Sequence, residues 1–145
     1  MTLRVLNVQQ PWARLLLTCV KTVEVRKYPL KNYKDENLWL LETKGEGAPR
    51  HFASRIIGII RFGNDFEYQD LRSFRADEHR HCVPQGSRYD WQPSKTPKVY
   101  GWVVQHASLL AYPWSPTNAK GRIEAEVIKR RTTFLKKMKH DSVDT

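Results

Sequence analysis

Short apolar runs of strand length, separated by turn-forming residues, make up most of this chain, and only one early stretch keeps helical spacing. Residues 3–8, 22–26, 38–42, 56–62, 100–105 and 123–128 each read as a strand, the fifth extending towards Tyr112. Gly58 inside the fourth, β-branched run marks a bend or a close backbone approach. Pro11 suits the first turn of a helix, and Trp12, Leu15 and Leu16 follow at helical spacing, with an end near Cys19-Val20. Residues 70–83 hold one or two short helical turns, and residues 31–37, 45–49 and 84–98 read as loops. Pro113-Trp114-Ser115-Pro116 is not expected to continue a central strand, because two prolines remove ladder donors. Without a βαβ rhythm, the expected fold is mainly β with peripheral helices (α+β): a small, mostly antiparallel barrel, since closure removes exposed edges.

The 145 residues suit one compact domain over residues 1–128, followed by a basic helix or tail over 129–145. No apolar run reaches bilayer-spanning length, so no membrane partner is expected. The N-terminus lacks a basic segment followed by a long apolar one, and Cys19 and Cys82 define no disulfide framework. A reducing, cytoplasmic setting fits both observations. The net charge of +10 attracts polyanions and makes nucleic acid the leading partner class. Lys129, Arg130, Arg131, Lys136 and Lys137 crowd the C-terminal segment, where they would make nonspecific phosphate contacts or belong to a frayed terminus.

Residues 21–26, Lys-Thr-Val-Glu-Val-Arg, concentrate charge within a strand. Alternation sends Val23 and Val25 to one face and Thr22, Glu24 and Arg26 to the other, with Lys21 at the entrance. One reading is a solvated strand face with a local ion pair. The other is the wall of a polar pocket, in which Glu24 accepts from a base edge while Lys21 and Arg26 hold a phosphate or oxyanion. A lysine with its pKa lowered by burial could instead act as base or nucleophile, and an internal ion network that only supports the fold is a further alternative.

Phosphate-binding glycine loops and a Gly-x-Ser-x-Gly elbow are absent, and no cofactor is expected. His79, His81 and Cys82 lack a second cluster at metal-ligand spacing and read as a polar surface segment, so no metal is expected. Of the five tryptophans, most read as core or loop anchors, while Trp12, and Trp91 beside Arg88 and Tyr89, are placed to stack a base.

Four segments resemble the ASCH family, whose fold is a PUA-like β-barrel. Residues 6–13, Leu-Asn-Val-Gln-Gln-Pro-Trp-Ala, are similar to its strand-then-helix opening. Lys21, Glu24 and Arg26 match the charged positions of its Gly-x-Lys-x-x-Glu-x-Arg signature, with Cys19 where the glycine stands, which puts the turn into the strand in question. Residues 56–60 and 100–104 resemble its central and late strands, the latter with Trp102 at the pocket edge. The resemblance implies a cleft for RNA or a modified nucleoside, lined by Gln10, Trp12, Lys21, Glu24, Arg26 and Trp102. It also implies an alternative: a hydrolase of RNA or of a modified nucleoside, with Lys21 and Glu24 catalytic. A bacterial branch deacetylates N4-acetylcytidine, but uses threonine where this chain has Glu24, and Thr22 is out of register. A protein-interaction module, such as a transcription coregulator, is a third possibility.

Overall fold

The computed structural model describes residues 4–45, 47–116, 126–128 and 135–136. The strands are β1 (Arg4–Gln9), β2 (Val23–Arg26), β3 (Leu38–Thr43), β4 (Arg55–Glu67), β5 (Tyr100–Trp114), β6 (Glu126–Ile128) and β7 (Leu135–Lys136). The helices are α1 (Trp12–Leu17), α2 (Leu71–Ala76) and α3 (Glu78–His81), and Lys31–Tyr33 forms a 3-10 turn. All strands join one mixed sheet in the order β2-β5-β4-β3-β1-β6-β7, with β1 parallel to both β3 and β6 and the remaining ladders antiparallel. None of the described helices is long and apolar enough to cross a membrane.

The α+β class agrees with the sequence reading; the closed barrel does not. The sheet is open, with β2 and β7 at its edges. Register shifts in the β4–β5 ladder, at Ile56/Gly58, Arg61/Phe62 and Phe62/Asn64, fall within two strands long enough to bend. No ladder joins β2 to β1. A side chain bridges them instead: Arg26 Nη2 donates to the Asn7 carbonyl at 2.7 Å. The seam between these strands becomes the cleft described below.

Strand β5 continues through Pro113 to Trp114, contrary to the sequence expectation. Two local facts remove the penalty. The ladder steps from Gly58–Leu109 to Ile56–Trp114, so Pro113 faces an interruption, and β2 pairs only with Tyr100–Val103.

With six residues, α1 is too short to be stable alone and depends on packing. It buries Ala13, Leu16 and Leu17 in the main core with Leu6, Leu40, Ile57, Phe62 and Trp102. Each fully buried leucine contributes roughly 1.5–3 kcal/mol. Gly58 is required here: a Cβ would lie 2.4 Å from Leu17 Cδ1 and 2.5 Å from the Ser108 carbonyl oxygen. A separate core of Tyr68, Phe74, Val83, Trp91 and Val99 ties α2, α3 and the 84–98 loop to the sheet. Asp70 caps α2 reciprocally with Ser73.

Candidate functional site

Alternation along β2 places Glu24 and Arg26 on one face, and the end of α1 delivers Lys21 beside them. Cys19, at the position of the signature glycine, takes the left-handed conformation that glycine would take, with φ 64°, so the turn is kept. The three charged side chains are not a solvated face. Lys21 is 2% exposed, Glu24 7% and Arg26 7%. Far from standing at an entrance, Lys21 is the deepest of the three.

One carboxylate serves two cations. Glu24 Oε2 accepts from Arg26 Nε at 2.9 Å and from Nη2 at 2.7 Å, and its Oε1 lies 3.5 Å from Lys21 Nζ. Lys21 also donates to the His81 carbonyl. Burial pushes the Glu24 carboxyl up, but Arg26 and then Lys21 more than offset it, so it is held below the usual carboxylate range. Burial works against Arg26 too, yet Glu24 leaves its guanidinium raised. For Lys21 burial prevails, and its ammonium is pulled below the ordinary lysine value. The arrangement holds Glu24 ionised and leaves Lys21 as the weaker-held cation.

The acceptor for Lys21 is fixed by a buried histidine. The His81 ring is fully buried and stacks on Phe74 at 4.2 Å. Its Nδ1 accepts from the Val83 N–H at 2.9 Å, so Nε2 carries the proton and donates to the Phe74 carbonyl at 2.7 Å. Burial lowers its pKa against the upward pull of that carbonyl. The 79–82 segment is therefore not simply a polar surface, as the sequence suggested, because its periodicity is too short to reveal a buried face.

The triad lies in a cleft of about 810 Å³, which also holds Trp12, Tyr89 and Trp91. Trp12 is half-buried; its Nε1 donates to the Cys82 carbonyl at 3.2 Å, and its ring meets Tyr89 edge-on with centroids 4.9 Å apart. The Tyr89 hydroxyl donates to Gln9 Oε1, linking the 84–98 loop to β1. Trp91 is buried and anchors that loop, donating to the Thr96 carbonyl at 2.6 Å. Exposed Lys27, Arg88 and Lys95 supply further cations to the lining. With Lys21 and Arg26 they make five, against the carboxylates of Glu24 and Asp90, and Asp90 is already engaged by Arg75 at 2.9 Å and by the Gly86 N–H at 2.9 Å.

Of the residues read from sequence, Trp12, Lys21, Glu24 and Arg26 come together here. Trp102 does not: it is 0% exposed in the main core, where its Nε1 donates to the Tyr28 carbonyl and its ring backs Arg26 at 5.9 Å. Gln10 is not in the lining either. Its backbone N–H donates to Thr43, and Gln9 is the glutamine that faces the cleft. Asn7 and Gln9 carry no expectation from the sequence, although two polar residues on either side of buried Val8 are a period-2 signal. Thr43 and Lys95 carry no such signal. Lys129, Arg130, Arg131 and Lys137 lie outside the described residues, as does the side chain of Lys136.

Searches of solved structures match this architecture to the crystal structure of ASCH from Zymomonas mobilis, with a TM-score of 0.58 at 16% identity, covering 76% of this chain and 71% of that one. Two point mutants of that protein match similarly, with TM-scores of 0.57 and 0.58 at 17% and 15% identity, each covering 75% of this chain and 70% and 72% of theirs. The fold is of the ASCH type. No family model and no curated protein matches the sequence. In this ASCH-type fold, the cleft occupies the seam between the edge strand β2 and the later part of β1, beyond Arg4 and Val5, which pair with β6.

Proposed function

We propose that this chain binds single-stranded RNA, taking one nucleotide or modified nucleoside into the β1–β2 cleft. The observation that carries the reading is the lining itself: five cations, two engaged carboxylates and an aromatic wall in one concavity of about 810 Å³. That volume falls in the range of small-ligand sites, and cationic grooves with exposed ring faces suit single strands. Lys27, Arg88 and Lys95 would meet the backbone phosphates at the rim. Lys21 and Arg26 would face the base or its sugar-phosphate at the floor, with Trp12 and Tyr89 as the wall. Glu24, whose oxygens are turned to Arg26 and Lys21, serves to position those cations rather than to read a base.

Affinity for a labelled single-stranded RNA, measured against salt, tests this. Each phosphate contact contributes about −0.7 to the slope of log K against log salt for single strands. The wild type should show a slope of about −2 or steeper. Combining Lys27→Ala, Arg88→Ala and Lys95→Ala should remove about 2 units of it. A slope near zero, or one the triple variant leaves unchanged, contradicts the reading.

The lowered Lys21 pKa favours a second reading, hydrolysis of RNA or of a modified nucleoside with Lys21 as base or electrostatic stabiliser. RNA that shortens in the same mixtures with wild type and stays intact with Lys21→Ala would support it for RNA; intact RNA in both removes that substrate.

A further inference from the structure

A one-turn helix such as α3 cannot satisfy its last carbonyls internally, so they must find partners elsewhere. Here three successive carbonyls take theirs from the segment that builds the cleft. The Arg80 carbonyl accepts the Thr22 N–H at 2.9 Å, the His81 carbonyl accepts Lys21 Nζ, and the Cys82 carbonyl accepts Trp12 Nε1 at 3.2 Å. What seats α3 is the His81 ring, which is 0% exposed, stacked on Phe74 and edge-on to Tyr68 at 6.0 Å. Its Nδ1 lone pair takes the Val83 N–H, and its Nε2–H goes to the Phe74 carbonyl. Phe74 and Val83 themselves line the cleft.

The bond to Val83 requires a neutral ring. A proton on Nδ1 would face the Val83 N–H, donor against donor, and would put a charge in a buried site. The groups facing the ring do not offset that charge. Lys21, held at the His81 carbonyl, repels it. On the ring's own helix and its cap, Glu78 and Asp77 attract it, but Glu78 is exposed and Asp77 already accepts from Arg80 Nε at 2.7 Å and from the Tyr68 hydroxyl. Tyr68 itself stays neutral, its pKa raised by burial and then by Asp77. From α2 the ring meets the Phe74 carbonyl, and the neighbouring Cys82 thiol is turned to the Val20 carbonyl. Burial prevails and holds the His81 pKa below the ordinary histidine value.

We infer that His81 is a proton-operated positioning residue. With a neutral ring it seats α3; a proton taken from solvent at Nδ1 unseats it, frees the three carbonyls from Thr22, Lys21 and Trp12, and weakens RNA binding in the cleft. Once α3 lifts, the ring regains its ordinary value of about 6.5. Acid below that value therefore favours the lifted form, and neutral pH the seated one.

This control of binding rests on the RNA reading, and two readouts separate them. Affinity of the full chain for labelled U10 is measured by fluorescence anisotropy from about pH 8 to about pH 5 at one salt concentration, for wild type and His81→Asn. Wild-type affinity should be level above about pH 6.5 and fall below it, by up to tenfold per pH unit for one linked proton and about tenfold in all. Gain of positive charge in acid strengthens attraction to a polyanion, so this loss is opposite in sign to bulk electrostatics. His81→Asn keeps an acceptor for the Val83 N–H but takes up no proton, and should bind without the acid loss. The second readout needs no RNA: in NMR spectra of the wild type, the Trp12 indole N–H signal should move with the same midpoint as the His81 ring signals. Affinity that holds or rises in acid, an acid loss shared by His81→Asn, or a Trp12 signal that ignores the His81 titration overturns the inference and leaves RNA binding intact. A loss that accompanies disappearance of the far-UV circular-dichroism signal overturns it as acid unfolding. Absence of U10 binding at every pH overturns the control of binding and the RNA reading together. The wild-type series and the NMR titration decide the matter even where His81→Asn fails to fold.

Discussion

Glu24 is the residue on which the site depends. It is the one carboxylate between two buried cations, with one oxygen turned to each. Removing one partner of a buried ion pair costs about 3–5 kcal/mol, because a charge is left unpaired out of water. Glu24→Ala leaves both Lys21 and Arg26 in that state and should lower stability by about that amount in urea denaturation. Lys21→Met should cost clearly less, since Arg26 keeps its two-pronged hold on Glu24. Equal losses would show that Lys21, not Arg26, is the principal partner of Glu24. At this scale the sequence was informative about direction and silent about burial. Period-2 alternation put Glu24 and Arg26 on one face, but it looks the same whether that face meets water or protein. What buries it is α3 and the 84–98 loop, more than fifty positions downstream, and no local pattern announces that packing. The same blindness applies to Trp102: an aromatic at a strand position is equally suited to either side, and only the contacts with Tyr28, Tyr33 and Phe62 place it in the core rather than at the cleft edge.

Among the elements, β4 carries the bend that shapes the sheet, and Gly58 sits at it. The isolated glycine in a β-branched run was a legible signal, and the structure supplies its cause: the Leu17 side chain and the Ser108 backbone both occupy the space of a Cβ. Gly58→Ala should destabilise the protein by roughly 1–3 kcal/mol, because the Ser108 carbonyl, unlike a side-chain tip, cannot turn away. Thermal unfolding checks this, and an unchanged midpoint would mean that β4 and β5 can separate there without loss. α1 was legible for a related reason, its Pro11 start and its Trp12, Leu15, Leu16 spacing being local. Strand β5 was legible only in part. The prolines were read as a stop, but a ladder interruption and a one-sided stretch of sheet let the strand run on to Trp114.

For the whole molecule, the open seam between β1 and β2 is where the fold meets the proposed function. A ladder between β2 and the later part of β1, which beyond Val5 pairs with β3 alone, would fill this seam and leave no cleft. Here one arginine spans the gap, and the remaining width is lined by cations, amides and aromatic rings. Closure was the natural expectation from many short strands, because exposed edges are a liability. The sheet stays open between β2 and β7, and the proposed ligand site lies against the unclosed edge of β2. The overall charge of +10 also bears on this scale, since under the proposed function the basic residues of 129–145 would give RNA a second, nonspecific set of contacts. The measurement that separates the two surfaces most directly is photo-cross-linking of the full chain to a single-stranded RNA carrying 4-thiouridine, followed by mass spectrometry of the linked peptides. Cross-links at Trp12, Tyr89 or their immediate neighbours are the predicted result. Cross-links confined to residues 129–145, with none in the cleft, would contradict the account.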